Sequence, residues 1–445
     1  MLPTQPTMAP ERRVTNSDGV GDVFVWGSNE TGVLGLTTAA TRRKRPFPVA
    51  LLDKSSPSGY KRLLPRCSHV AAGGVHSVAV TPEGALFTWG VGDEGQLARH
   101  VSREDVEGPA KPERVAMPTG AGAVVRVAAS DAATFALDDN GAVYASGVFK
   151  DESELGLVPD QPETRVAAMA PFFAPEGGKR ATSVAAGNAH VAMLVSDSRG
   201  RLEVYTSGAC AQGQLGRVGA RVGPRGRIKT QLAPAPVRLP RGAGAPVAVF
   251  AGGWHTFVVT DAGVVVGFGL NNWGQLGVPL GEHARENTCV YAPRIIKALS
   301  GRNVVSIACG EHHSLALTAE GEVLSFGRFA YGRLGRPMDP SADACNGDAA
   351  CPAPAPVSFP DKVQIVRVAA GMSHSACVDD KGTLFMFGSG DGYMLGRGDD
   401  EDDAVAPVAV GTTEAYKKHW DPAVQKVSQV TLGGMHVMAI VRPGL

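Results

Sequence analysis

The sequence predicts an all-β protein, a seven-bladed β-propeller whose N- and C-terminal strands share one blade. Three observations lead there. Two motifs alternate along the 445 residues, one of the form Gly-x-x-His and one ending in Leu-Gly. The runs between them are short, β-rich and joined by Asp or Glu with Gly, which is hairpin chemistry. The two ends are also complementary. Near the N-terminus only the second motif occurs, as Trp26-Gly27 through Leu34-Gly35; near the C-terminus only the first, as Gly433-Gly434-Met435-His436. Two half units make a whole one only if the ends meet. A closed ring needs this, and an open solenoid gains nothing from it.

The first motif begins at Val70, Val127, Val184, Val249, Ile307, Val368 and Val430, in steps of 57, 57, 65, 58, 61 and 62 residues. The second spans Trp26–Gly35, Trp89–Leu97, Ser146–Gly156, Ser207–Gly216, Phe268–Gly277, Phe326–Gly335 and Phe387–Gly396. A period of this size marks a repeat architecture. Within a unit, His76-Ser77-Val78-Ala79-Val80 has strand periodicity, Thr81-Pro82-Glu83-Gly84 is a turn, and Ala85 to Trp89 is the return strand. About four strands per unit follow, with residues 430–441 beside 21–27 in the shared blade. The 56 glycines suit many tight turns. Length alone would suggest two or three domains. The repeats override that, so residues 21–445 are read as one propeller and residues 1–20 as a short disordered tail.

Lys plus Arg and Asp plus Glu number 43 each, so no net charge steers the whole chain to nucleic acid. No apolar N-terminal stretch resembles a signal peptide, and the apolar runs are too short to span a bilayer. Seven Cys without a CxxC pair argue against a disulfide framework or a zinc ribbon. The chain reads as cytosolic or nuclear, with no membrane partner, no metal and no cofactor. Six units carry the repeat histidine, as His76, His190, His255, His313, His374 and His436, while the remaining unit has Ala133. One His per blade is better read as a ring of structural hydrogen bonds than as metal ligands. Gly90-Val91-Gly92-Asp93-Glu94-Gly95 matches a dinucleotide fingerprint but opens no βαβ unit. It is read as a blade-connecting loop. No Ser-His-Asp, Cys-His or paired-carboxylate arrangement stands out, so no catalytic residue is assigned.

Four segments depart from the repeat. Phe149-Lys150-Asp151-Glu152-Ser153-Glu154 puts charge where other units have Gly-Gln or a similar pair. A loop that breaks a repeat is a candidate for function. Arg42-Arg43-Lys44-Arg45-Pro46 reads as an import signal, a phosphate contact or a solvated loop. Arg217, Arg221, Arg225, Arg227 and Lys229 lie in the insertion that accounts for the 65-residue step. They suit carboxylate or phosphate pairing, or a solvated loop. Asp399 to Asp403 is acidic, either a hairpin tip or a contact for a basic partner.

The two motifs resemble the regulator of chromosome condensation repeat family over residues 21–445. Some stretches resemble the family's founding member more closely: Gly187-Asn188-Ala189-His190 followed by Gln212 to Val218, Gly267 to Asn272, Gly327-Arg328-Phe329-Ala330-Tyr331-Gly332-Arg333-Leu334-Gly335, and Asp400-Glu401-Asp402 before Pro407-Val408. That member is a chromatin-bound guanine nucleotide exchange factor for the small GTPase Ran. The resemblance implies a GTPase-binding wedge at Val148, Phe149, Lys150, Asp151, Glu152 and Ser153, with Lys150 in place of an Arg. It implies a GTPase-facing rim at Glu30, Asp131, Ala189, Arg217, Asn272 and His312, an acidic loop at Asp400, Glu401 and Asp402, and a nucleosome-binding loop at Arg221, Arg225 and Arg227. It also implies a nuclear, chromatin-associated monomer with Ran, nucleosomes or histones, and DNA as partners. Ala189 stands where the family carries an Asp, and a methyl group accepts no hydrogen bond. The alternative is a propeller scaffold of the same family without efficient exchange activity. Residues 1–20 offer only Arg12 and Arg13 where animal members carry a basic tail.

Overall fold

Seven four-stranded antiparallel sheets stand around a central axis. The computed structural model describes residues 19–36, 40–52, 60–101, 108–149, 156–157, 165–218, 230–280, 289–338, 348–360, 363–411, 420–421 and 423–443. Blade 1 is built from His69–Ala72, His76–Val80, Leu86–Gly90 and Glu113–Arg114, and blade 2 from Val124–Ala129, Ala133–Asp138, Val143–Gly147 and Val166–Phe173. Blade 3 comprises Arg180–Ala186, His190–Ser196, Leu202–Ala209 and Thr230–Pro236; blade 4, Pro246–Ala251, His255–Thr260, Val265–Leu270 and Cys289–Ile295. Val304–Cys309, His313–Thr318, Val323–Arg328 and Ala350–Pro356 form blade 5, and Ile365–Ala370, His374–Asp379, Leu384–Gly388 and Ala404–Ala409 form blade 6. Blade 7 takes Gln425–Leu432 and His436–Pro443 from the end of the chain, and Asp22–Ser28 and Arg42–Pro48 from its beginning.

The shared blade is therefore present, with Val25 opposite Met438 and Gly27 opposite His436. Asp22–Ser28 runs toward the face that carries the Gly-x-x-His loops, and His436–Pro443 runs away from it. The second strand of each blade is covered on both sides by neighbouring blades. His76 to Val80, Ala133 to Asp138 and His255 to Thr260 are buried throughout. Alternation is weak in these strands because both faces are core. The GxGxxG segment joins the third strand of blade 1 to its fourth, so it lies within a blade rather than between blades.

The histidines form a relay between blades. His76 Nε2 lies 2.9 Å from Thr134 Oγ1, His190 Nε2 2.9 Å from Thr256 Oγ1, His255 Nε2 3.0 Å from Ser314 Oγ, His313 Nε2 2.8 Å from Ser375 Oγ and His436 Nε2 2.9 Å from Ser77 Oγ. Each hydroxyl donates onward to a backbone carbonyl: Thr134 to Gln96, Thr256 to Gln214, Ser314 to Gln275, Ser375 to Arg333 and Ser77 to Val33, at 2.8 to 2.9 Å. A hydroxyl whose proton is committed to a carbonyl must accept from the ring, so the network assigns the Nε2–H tautomer. Burial pushes these histidines down, His190 to about 3 and His436 to about 4, and keeps them neutral.

Two sets of glycines make room for the relay. The ring packs on the first Gly of its motif. A Cβ on Gly187 would lie 2.3 Å from His190 Cε1 and 2.2 Å from the Gly252 carbonyl oxygen. The glycines that end the third strands, such as Gly208 at φ +119° and Gly269 at φ +114°, pair with the histidine position in a backbone conformation that side chains resist.

Thr256→Val would leave the His190 Nε2–H and the Gln214 carbonyl without a partner. The expected cost is roughly 2–4 kcal/mol, measured by chemical denaturation. His190→Ala with Thr256→Val should cost clearly less than the sum of the single changes. Strict additivity would show that the relay is not a unit.

Candidate functional site

In a four-stranded meander, the loop joining strands one and two and the loop joining strands three and four emerge on the same face. The first set carries the Gly-x-x-His positions. Glu30, Arg217, Asn272 and Asp400 to Asp402 lie in loops of the second set, and Asp131, Ala189 and His312 in loops of the first. The sequence-predicted rim thus shares one face, spread over blades 2 to 7. Opposite it lie the turns at Thr81–Gly84, Asp138–Gly141 and their equivalents.

A central channel of about 410 Å³ reaches this face, and the second residue of each motif lines it, Asp131, Asn188, Glu311 and Met372 among them. Burial, and then the nearby Glu311, push the Asp131 carboxyl up to about 6. Burial also raises Glu311, against the pull of Arg333 and Arg328. His312 Nε2 lies 3.9 Å from Glu311 Oε1. Burial, with Arg328 and Arg333, pushes His312 down to about 4, so it is neutral near pH 7. Arg328 Nε donates to Asp348 at 2.7 Å, and its guanidinium sits 4.6 Å from the centre of the Trp273 ring. Arg333 is only 2% exposed and donates to the carbonyls of Ala330 at 2.9 Å and Met372 at 3.2 Å. Above it Tyr331 stands 52% exposed at φ +64°, a conformation disfavoured for a bulky residue.

Sequence reasoning took His312 from this cluster and missed Glu311, Arg328, Arg333 and Asp348. A signal existed. The position of Arg333 is occupied by Gln96, Gln214 and Gln275 in other units, where the amide oxygen accepts the backbone N–H of Glu94, Gln212 and Trp273. Arginine has no acceptor, so the substitution marks a loop held differently.

Several expectations need correction. Val148 and Phe149 are buried, Phe149 completely. The Phe149 ring stacks on Phe135 at 5.7 Å, and Phe172 meets Phe135 edge-on at 5.3 Å. An aromatic ring gains more in this apolar cluster than on a wet rim. Phe149 and Val148 therefore anchor the segment and do not offer a surface to a partner. Lys150, Asp151, Glu152 and Ser153 lie outside the described residues, as do Arg221, Arg225 and Arg227. Arg217 is half-buried and braces its own blade, donating to Thr206 Oγ1 at 3.2 Å and to the carbonyls of Thr206 and Ala233 at 3.1 Å. Asn272 accepts from Gln275 Nε2 at 3.0 Å. Ala189 is wholly buried, in an apolar cluster against which Trp254 packs, and presents nothing to solvent. Glu30 is exposed. Asp400 accepts from Arg397 at 3.0 Å and from the Asp402 N–H at 2.9 Å, so part of the acidic loop is folded on itself.

The basic run is a strand, not a loop. It forms the outer strand of blade 7, Arg42–Pro48. Lys44 Nζ donates to Asp399 at 2.6 Å and lies 4.8 Å from the centre of the Tyr393 ring, while Arg42 lies 5.4 Å from the same ring. One residue of the acidic run, Asp399, thus binds within this molecule. Among the described residues, no group of three His, Cys, Asp or Glu stands together as a metal would require.

The family model described as the RCC1-like domain matches residues 22–439. The regulator of chromosome condensation of Xenopus laevis is 32% identical over 431 residues, covering 95% of this chain and 90% of its own. Guanine nucleotide exchange factor SRM1 of Saccharomyces cerevisiae is 31% identical over 424 residues, covering 88% of this chain and 83% of its own. The crystal structure of Prp20p from Saccharomyces cerevisiae, described with its binding to Gsp1p and histones, superposes with a TM-score of 0.78 at 28% identity, over 96% of this chain and 92% of that one. With the repeat, the ring closure and the match along nearly its whole length, this chain belongs to the regulator of chromosome condensation family.

Proposed function

We propose that this protein is a guanine nucleotide exchange factor for the small GTPase Ran, acting at chromatin in the nucleus. The observation that carries the reading is similarity along nearly the whole chain to regulators of chromosome condensation and to a protein named as a guanine nucleotide exchange factor. The convergence of the rim residues on one face supports it. The work required is binding, not bond-making. A surface that prefers the nucleotide-free GTPase weakens nucleotide binding by the factor by which nucleotide weakens the complex. Cellular excess of GTP over GDP then sets the direction.

In this reading Asp131, Glu311 and neutral His312 at the channel mouth meet the GTPase, and Glu30 adds an exposed charge at the rim. Lys150 to Ser153, which follow the buried Phe149 in sequence, act at its nucleotide site. Arg221, Arg225 and Arg227 supply a contact to the histone surface, with DNA nearby. A second reading, an adaptor that binds Ran without driving release, is favoured by one observation. Ala189 is buried and apolar where the family carries an acid.

The test is release of a fluorescent GDP analogue from Ran. Catalytic amounts of this protein should accelerate it, and Gly-Ser residues in place of Lys150 to Glu152 should abolish the acceleration with the fold intact. Binding without acceleration would establish the adaptor.

Asp131 gives a pH signature. Its carboxyl is raised, so it is largely protonated below about pH 6 and charged above. If the charge meets Ran, affinity should rise between pH 5 and 7 and the rise should vanish in Asp131→Asn. A rise that persists in Asp131→Asn would place the titrating group elsewhere.

Replacing Arg221, Arg225 and Arg227 with Glu should weaken nucleosome binding at least tenfold in a gel shift and leave GDP release unchanged. An unaltered shift would remove that loop from the histone contact.

A further inference from the structure

Five of the seven blade junctions carry the histidine relay: 1–2, 3–4, 4–5, 5–6 and 7–1. Junctions 6–7 and 2–3 do not. At 6–7 the histidine remains, but Val437 stands where its hydroxyl partner would be, and both ring nitrogens of His374 lack a partner. Other bonds hold that junction. Trp26 Nε1 donates to the Met394 carbonyl at 2.8 Å, the Gly398 N–H to the Lys44 carbonyl at 2.9 Å, and Lys44 to Asp399 at 2.6 Å.

Junction 2–3 differs in kind, because three positions have changed together. Ala133 replaces the histidine, so no ring is present. Val191 replaces the hydroxyl that would receive it. Ser130 replaces the glycine on which the ring would lie, and its Oγ accepts the Ala133 N–H at 2.9 Å. Each change is compatible with the other two, and each alone would strain an intact relay. Among the described residues, backbone bonds around the channel mouth span junctions 1–2, 3–4, 4–5 and 5–6 only, while at 7–1 the side chains of Gln429 and Thr431 bond the backbone of Val70 and Ala72 instead. The backbone bonds run from the Gly74 N–H to the Ser130 carbonyl, Asn188 to Gly253, Gly253 to Gly310, and Glu311 to Gly371, at 3.0 to 3.3 Å. Among the described residues no such bond leaves Asp131 for blade 3. What joins blades 2 and 3, among the described residues, is the Ala181 N–H to Gly141 carbonyl bond of 2.9 Å near the opposite face, and the apolar cluster of Phe135, Val143, Val184 and Val191. Apolar packing is non-directional, whereas a hydrogen bond fixes both a distance and an angle.

We infer that the junction between blades 2 and 3 is the compliant seam of the ring, where two blades shear while the other junctions hold. Its position gives the shear an effect. Asp131 and the anchored Val148-Phe149 lie on one side, Ala189 and Arg217 on the other, so movement at the seam changes the spacing of the two halves of the candidate site. The inference does not depend on which partner that site binds.

Matched reporters exist. The amides of Val124, Ala181, Ile365 and Val427 each donate across a junction to the equivalent carbonyl, of Gly84, Gly141, Gly321 and Gly382. In residue-resolved hydrogen–deuterium exchange on the full chain, Ala181 should exchange roughly tenfold faster than Val124 and Ile365, the loss expected for one relay. Equal protection would overturn the seam. The triple change Ser130→Gly, Ala133→His, Val191→Thr should slow Ala181 to the rate of Val124. The reverse set, Gly73→Ser, His76→Ala, Thr134→Val, should speed Val124 by the same factor. If Ala181 stays fast in a folded triple variant, the relay is not what the seam lacks, and the assignment fails. Should either variant not fold, the comparison within the unaltered protein still decides.

Discussion

Everything in this molecule rests on the pairing of Asp22–Ser28 with His436–Pro443. A propeller blade is a small sheet with core on both faces, so none is stable without its neighbours. Only a closed ring gives every blade two. Closure here is backbone hydrogen bonding between the two ends of the chain, and the channel, the relay and the loop face all presuppose it. The outer strand of the same blade adds a side-chain contribution through Lys44, Arg42, Tyr393 and Asp399. Exposed ion pairs of this sort contribute little singly. Both cations lie against the Tyr393 ring, which adds cation–π contact to the ion pair.

The loop face owes its character to the regularity beneath it. The strands hold every unit in register, and the second residue of the motif varies above them, from Gly74 to Asp131, Glu311 and Met372, whether or not its own unit carries the relay. The chemistry that results is modest: acids raised by burial, a neutral His312, and arginines committed to carbonyls and aromatic rings. Such a surface suits recognition of another macromolecule, and family membership and face geometry agree on that point.

Much of this was legible in the sequence. The repeat period, the blade count, the closure and the structural nature of the histidines all follow from residues a few positions apart or from a long-range pattern. The relay partners did not follow. Thr134 lies 58 residues from His76, and Thr256 lies 66 from His190, and a sequence does not say which residue one blade onward faces a ring. Phe149 was misread for a related reason. It sits in a charged segment, but aromatic burial against Phe135 outweighs the company it keeps in sequence. The run at Arg42 looked like a loop because four cations suggest solvent. Strand pairing with Phe24 and Val25, through Pro48 and Phe47, fixes it instead.

The closing blade has one more consequence. Asp22 is the register partner of Val441. In the other blades the second and third strands are joined by a tight turn such as Thr81 to Ala85, and here that turn is replaced by the two ends of the described strands. The beginning and end of the propeller are thus the two sides of an open hairpin, on the face away from the candidate site. A short linker between them would complete a seventh hairpin, and the chain could then be opened at the corresponding turn of another blade. The order of the blades along the chain is a matter of where the thread was cut, and the molecule is in this sense circularly permutable.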